Sequence, residues 1–325
     1  MLQRRYVLKI KLGVYIPVYG GWLKGVDEGE KDPVFKYAAE TARKAEEIGF
    51  HSIWVTDHML NRTKGEGAKS LEAWTTLTGL AAITRKVELF PMVLCQGFRH
   101  PAVLAKMGAT LDDVSQGRFR LAMGAGSWER EFEAYGLPWH DHDARIDRAR
   151  EQIEIIKALW TQPTTNFKGQ YFEIRDGVLE PKPLQKPHPP IWWAGKSEKS
   201  RQLAAELADG WIIGASAPAR AEEGMIQDMN KRLDDLGRDD FQYAIAGWIY
   251  LGKTDEEAER RVKMIVGGDS SLYKQVLARG FVGSPHTIVD GIQRLSDLGI
   301  HHIAFKITPA LKFLEELEEN LFPML

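Results

Sequence analysis

Thr56, Asp57 and His58 follow directly on the apolar run Ile53-Trp54-Val55, so a hydroxyl, a carboxylate and an imidazole arrive together where a strand would end. A histidine beside a carboxylate can hold or pass a proton; a solvated loop is the plain alternative. A second group lies in "WAGKSEKSRQLAAELADGW", where Gly195, Lys196, Ser197 and Ser200 stand at a strand-to-helix turn. Unpaired N–H groups at a helix start, two hydroxyls and an ammonium suit a phosphate, although Ser197 could serve only as an N-cap. In "RFRLAMGAGSWEREFEAYG", Gly124, Ala125, Gly126 and Ser127 offer a wall with almost no side chains, which a flat ring can approach closely. As a dinucleotide fingerprint that stretch fails, because Glu129 takes the place of the third glycine. His140 and His142 form an H-x-H pair, but they precede a helix and most strand ends bring no further His or Asp, so no metal is expected. His301 and His302 precede a strand and read as structural.

The elements that must position these groups are short apolar runs alternating with stretches of helical period. The runs start at Leu12, Ser52, Val87, Phe119, Ile191, Gly210, Ala244 and His302. Helices are expected over Asp32–Ile48, Ser70–Thr84, Pro101–Ser115, Asp143–Trp160, Ser197–Ala208, Pro218–Leu236, Asp255–Val266, Pro285–Leu298 and Ala310–Leu321, two of them in the seventh connection. The proline-rich stretch 161–190 reads as an inserted hairpin. Eight βα units predict a single (β/α)8 TIM barrel over residues 1–325, an α/β fold with loop insertions at its C-terminal face. In such barrels the chemistry gathers at the carboxyl ends of the strands. Thr56, Asp57, His58, Cys95, the 124–127 wall, the 194–200 turn, Gly214 to Ser216, Gly252 and Thr308 would then share one rim.

Of the 325 residues, 44% are hydrophobic and 27% charged, and the net charge of -2 gives no electrostatic reason to expect nucleic acid or an anionic membrane surface as partner. No apolar run approaches the ~20 residues of a membrane span, and lysines interrupt "MLQRRYVLKIKLGVYIPV" where a signal peptide would be apolar. The single cysteine, Cys95, excludes an intramolecular disulfide and suits a reducing compartment. A cytoplasmic protein acting on a small molecule is expected.

Three stretches carry a resemblance: "FRHPAVLAKMGATLDDVSQGRFRLAMGAGSWEREFEAYG", "YFEIRDGVLEPKPLQKPHPPIWWAGKSEKSRQLAAELADGW" and "GSPHTIVDGIQRLSDLGIHHIAF". With them nearly the whole chain resembles the bacterial luciferase-like superfamily of flavin- and F420-dependent barrel enzymes. The resemblance implies a flavin or deazaflavin ring in the barrel mouth, supported by a bulge around Met92, Val93 and Cys95 that often holds a non-proline cis peptide. Thr56, the 124–127 wall, Gly195, Lys196, Ser197 and Ser200 would bind the cofactor. The opening "GVYIPVYGGWLKGVDE" is similar to dimethylsulfone and alkanesulfonate monooxygenases, which use reduced FMN from a partner reductase. "WVTDHM" and "HDARIDRAREQIEIIKALWT" are similar to F420-dependent members.

Departures from those patterns narrow the reading. Ala246 and Trp248 stand where alkanesulfonate monooxygenases carry an Arg-x-His pair, and Ser70 and Thr308 replace a cysteine and a tyrosine, which argues against a sulfonate. Ile146 replaces a tyrosine that often reaches the FMN phosphate. Candidate rim cations Lys24, Arg62, Lys64, Lys69 and Lys196 are offset by Glu28, Glu30 and Glu66, which argues against the polyanionic F420 tail. The expectation is a two-component monooxygenase using reduced FMN and oxygen on a small organic substrate, working as a homodimer. His58 would handle protons with Asp57 orienting it or bonding to the ring, and Trp22, Trp128 and Trp248 would keep water from the pocket. F420-dependent hydride transfer, a non-catalytic flavin binder and a metal-dependent barrel hydrolase are the alternatives.

Overall fold

Among the described residues, eight strand-and-helix units follow one another along the chain, with a few extra elements between them. A computed structural model describes residues 10–26, 28–215 and 223–325. In order these residues form β1 (Lys11–Tyr15), α1 (Phe35–Ile48), β2 (Ser52–Val55), α2 (Ala73–Ile83), β3 (Glu88–Pro91), β4 (Leu94–Cys95), α3 (Pro101–Val114) and β5 (Leu121–Gly124). Next come α4 (Glu129–Ala134), α5 (His142–Thr161), β6 (Thr165–Lys168), β7 (Glu173–Gly177), β8 (Ile191–Ala194), α6 (Glu198–Leu207), β9 (Gly210–Ala215) and α7 (Glu223–Asp235). The chain continues with β10 (Gln242–Leu251), α8 (Asp255–Ile265), α9 (Ser270–Arg279), β11 (Gly280–Gly283), α10 (Pro285–Asp297), β12 (His302–Lys306) and α11 (Ala310–Asn320).

Strands β3, β2, β1, β12, β10, β9, β8 and β5 lie side by side in that order, all parallel, with β4 beside β5 and the short β11 added along β10. A parallel bridge from Leu89 to Phe119 joins the two ends of the row, through Leu89 N to Arg118 O (3.0 Å) and Arg120 N to Leu89 O (3.1 Å). The expected eight-stranded barrel is the architecture found. β6 and β7 form the antiparallel hairpin anticipated in the proline-rich insertion.

Helix α1 illustrates how sequence sets an outer element: Tyr37, Ala38, Thr41, Ala42 and Ala45 form its buried face, and Gly49 ends it in the left-handed region at φ 102°. The run from Val87 is two strands, and between them lies a non-proline cis bond, Met92–Val93, in the bulge that the family resemblance implies. Helices α4 and α9 and strand β11 were not expected. The expected helix start at Pro218 and the strand end at Ser216 lie outside the described residues.

Inside the barrel Trp54 stacks on Phe90 (4.1 Å between centroids), Trp192 meets Phe90 edge-on (5.5 Å), and His302 packs against both rings (5.6 and 5.1 Å). Burial pushes the His302 imidazole down to about 3, so it stays neutral, with Nε2 3.1 Å from Gln242 Oε1. At the amino ends of the strands Glu88 accepts from Lys11 Nζ (2.9 Å) and Arg120 (3.0 Å). The amino-terminal half of the lumen is therefore filled. Among the described residues no helix is long and apolar enough to cross a membrane.

Candidate active site

At the carboxyl ends of the strands a cavity of about 300 Å³ is lined by Asp57, His58, Met92, Val93, Cys95, the 124–127 wall, Glu131, Phe132, His142, Ala194, Gly195 and Ser200. Eleven of the anticipated residues thus meet in one place: Asp57, His58, Met92, Val93, Cys95, Gly124, Ala125, Gly126, Ser127, Gly195 and Ser200. They come from the ends of β2, β3, β4, β5 and β8 or from the segments just after them.

Asp57 and His58, adjacent in sequence, do different work. Near a strand end successive side chains point to opposite sides, so neighbours in sequence do not readily touch. The Asp57 carboxylate accepts from Cys95 N (2.9 Å) and takes a two-pronged bond from Arg99 at 2.8 and 3.0 Å. It anchors the bulge that carries Met92 to Cys95. His58 Nδ1 lies 2.7 Å from Glu131 Oε2, while Glu131 Oε1 accepts from Met59 N (2.7 Å) and Leu60 N (3.1 Å). The expectation that Asp57 orients His58 is corrected: Glu131, on the short helix α4, holds the imidazole. With its Nδ1–H committed to Glu131, the neutral ring leaves Nε2 as an acceptor.

The wall opposite is flat for a steric reason. A Cβ on Gly124 would stand 2.7 Å from Val93 Cγ2, and one on Gly126, at φ 83°, 2.7 Å from Cys95 Sγ. Burial pushes the Cys95 thiol up to about 12, which keeps it neutral and unreactive. At the turn into α6, Ser197 is the N-cap, accepting from Ser200 N at 3.3 Å. Ser200 Oγ accepts from Trp193 Nε1 (2.7 Å), and the approach of Ser200 leaves no room for a side chain at Gly195. Ser197 and Lys196 flank the cavity without lining it. Both serine hydroxyls accept from protein donors and each keeps its own hydrogen to donate.

The remaining anticipated residues lie outside the lining. Thr56 is buried next to Tyr19. Trp22 is buried against Tyr15 (5.2 Å) and Tyr19 (6.1 Å) with its indole N–H on Ile307 O (2.8 Å). Trp128 stands edge-on to His58 (6.3 Å) under the Arg62 guanidinium (5.6 Å), and Trp248 is buried on β10. The acidic rim is also different from expectation. Glu28 and Glu30 are buried, Glu28 on Leu23 N (2.8 Å) and Glu30 on Tyr37 OH (2.5 Å) and Ala310 N (2.7 Å), so of the three only Glu66 faces outward, paired with Arg130. His142 is the first residue of α5 and lines the cavity, while the helix is capped by Asp141.

The family model described as luciferase-like monooxygenase matches residues 20–280. The chain belongs to that family. The pyrimidine monooxygenase RutA of Allorhizobium ampelinum is 32% identical over 76% of this chain and 69% of its own length. The FMNH2-dependent dimethylsulfone monooxygenase of Pseudomonas putida is 29% identical over 79% and 70%. The F420-dependent glucose-6-phosphate dehydrogenase of Amycolatopsis mediterranei is 30% identical over 88% and 93%. In fold, this luciferase-like chain superposes on an F420-dependent secondary alcohol dehydrogenase solved with an F420-acetone adduct, with TM-score 0.78, 22% identity and 98% and 99% coverage.

Proposed function

We propose that this luciferase-like protein is a reduced-FMN-dependent monooxygenase that works with a separate flavin reductase on a small organic substrate, as a cytoplasmic homodimer whose residues 1–325 form one catalytic barrel. The observation that carries the reading is the combination, in one cavity, of a wall closed to side chains at Gly124 and Gly126 and an imidazole fixed by a buried carboxylate. A tricyclic ring fits against such a wall, and a phosphate would take hydroxyl donors from Ser197 and Ser200. Reduced FMN, when bound, would supply the electrons that activate oxygen. The chain's own part is to hold and move a proton at His58 Nε2, with Glu131 stabilising the imidazolium, and to exclude water with Trp22, Trp128 and Trp248.

A specific observation favours a second reading. The F420-dependent relative from Amycolatopsis matches over more of both chains than the two monooxygenases do. Anaerobic titration, followed by quenching of tryptophan fluorescence, separates the two. Micromolar or tighter binding of reduced FMN with much weaker binding of F420 is expected, followed by incorporation of isotopically labelled oxygen into product. The reverse order of affinities would replace oxygenation by hydride transfer.

A further inference from the structure

Lys306 is the last residue of β12, which lies opposite β5 and its glycine wall in the strand order. His302 of the same strand is inside the barrel between Phe90 and Trp192, and alternation sends Ala304 and Lys306 to that same inner side. Lys306 therefore points into the lumen at its carboxyl end. Its ammonium lies 5.3 Å from the Tyr15 ring and 5.4 Å from the Trp248 ring, and it makes no hydrogen bond or ion pair with any described residue. Protein crowds it on all sides, yet part of its surface stays exposed.

The nearest carboxylate does not neutralise it by contact. Glu28 is committed to the backbone N–H groups of Trp22 and Leu23 and to Tyr250 OH at 3.5 Å. Burial pushes Lys306 down to about 8, with the Glu28 charge opposing that fall and Arg62 adding to it. On the neighbouring strand the indole N–H of Trp248 is buried without an acceptor. A cation and an unpaired donor among aromatic rings are groups that suit an anion.

We propose that Lys306 is a substrate-recognition residue that binds the charged oxygen group of a small organic monoanion, whose apolar body lies on Trp22, Trp248 and Tyr15. This rests on the reading of the barrel mouth as a substrate site. The nearby Glu28 charge disfavours a phosphate dianion, and a single lysine balances a single negative charge.

The test compares benzoate with its neutral isostere benzamide, by calorimetry, on cofactor-free and FMN-loaded protein. The wild type should prefer benzoate by roughly tenfold to a hundredfold, the range of one charge-assisted bond. Lys306→Met should bind the two alike while its affinity for reduced FMN stays within about twofold of the wild type. Lys306→Gln serves if the methionine variant does not fold, and Glu28→Gln should tighten benzoate. A wild type that shows no benzoate preference, including one that binds neither probe, overturns the proposal, as does a preference that survives both lysine variants. Failure of the wild type to bind reduced FMN would instead overturn the function proposed above, and the cofactor-free comparison would still decide Lys306.

Discussion

Replacing Glu131 by glutamine tests the His58–Glu131 pair without emptying the site. Glu131 is only 2% exposed, and its Oε1 accepts two backbone N–H groups at 2.7 and 3.1 Å. The glutamine carbonyl must take that place, since an NH2 group there would face two donors. The amide nitrogen then faces His58 Nδ1, where Oε2 stood at 2.7 Å. Nδ1 must accept, so the ring proton moves to Nε2 and the atom left for chemistry changes from acceptor to donor. A charge-assisted bond of about 1.5 to 3 kcal/mol is replaced by a neutral one of about 0.5 to 1.5 kcal/mol. Protonation would put a hydrogen back on Nδ1, where the amide NH2 is no acceptor, so the imidazolium forfeits the whole charge-assisted bond of about 1.5 to 3 kcal/mol, and loss of a positioned base removes up to ~10² to 10⁴ in rate. Long-range proton–nitrogen NMR of His58 reads the tautomer directly, and product formation with a supplied reductase reads the rate. We expect the proton on Nδ1 in the wild type and on Nε2 in Glu131→Gln, at least a tenfold fall in turnover, and FMN affinity within about twofold of the wild type. An unchanged tautomer, or turnover within about threefold of the wild type, would refute the assignment.

Ser197→Ala should weaken reduced-FMN binding by about tenfold to a hundredfold through loss of one hydroxyl–phosphate bond; a lower Tm with unchanged FMN affinity in equilibrium titration would reduce Ser197 to the N-cap it already is. Asp57→Asn removes the charge that faces a buried Arg99, whose other carboxylate partner is Glu72. Thermal unfolding should register a loss of about 3 kcal/mol, with a Tm lower by several degrees. A Tm within about 1 °C of the wild type would show that Asp57 does not hold the bulge.

The barrel was legible because its signal is repeated: eight apolar runs, each followed by a helical period, leave little choice of architecture. What escaped the pattern was local or long-range. Helix α4 has six residues, too few to display a helical stripe, and α9 has a single buried residue, Val276. The interruption between Pro91 and Leu94 lies within "FPMVL", which has the composition of an unbroken strand, so the family resemblance and not the apolar pattern places the bulge there. In the site, the residues near strand ends were found by position alone, whereas partnerships were not. Glu131 sits 73 residues from His58 in a stretch, "EREFE", that reads as a solvated helical face. Glu28 and Glu30 look like surface acids until Trp22, Leu23, Tyr37 and Ala310 supply the donors that let them be buried. Lys306 ends a strand whose other inward residues are neutral, so the sequence pattern does not single it out and only the rings of Tyr15 and Trp248 reveal its setting.

Among the described residues, the stack of Trp54, Phe90, Trp192 and His302, with Lys11, Glu88 and Arg120 beneath it, closes the barrel at one end and leaves it open at the other. Everything that reacts must enter and leave past the same lip. On the proposed function, occupants of such a vessel would be served in order: a ring against the 124–126 wall would go in first and come out last, and a substrate standing over it would bar the way. Delivery of reduced cofactor and release of product then compete for one passage, so a partner that supplies the cofactor gains by waiting until the product has gone.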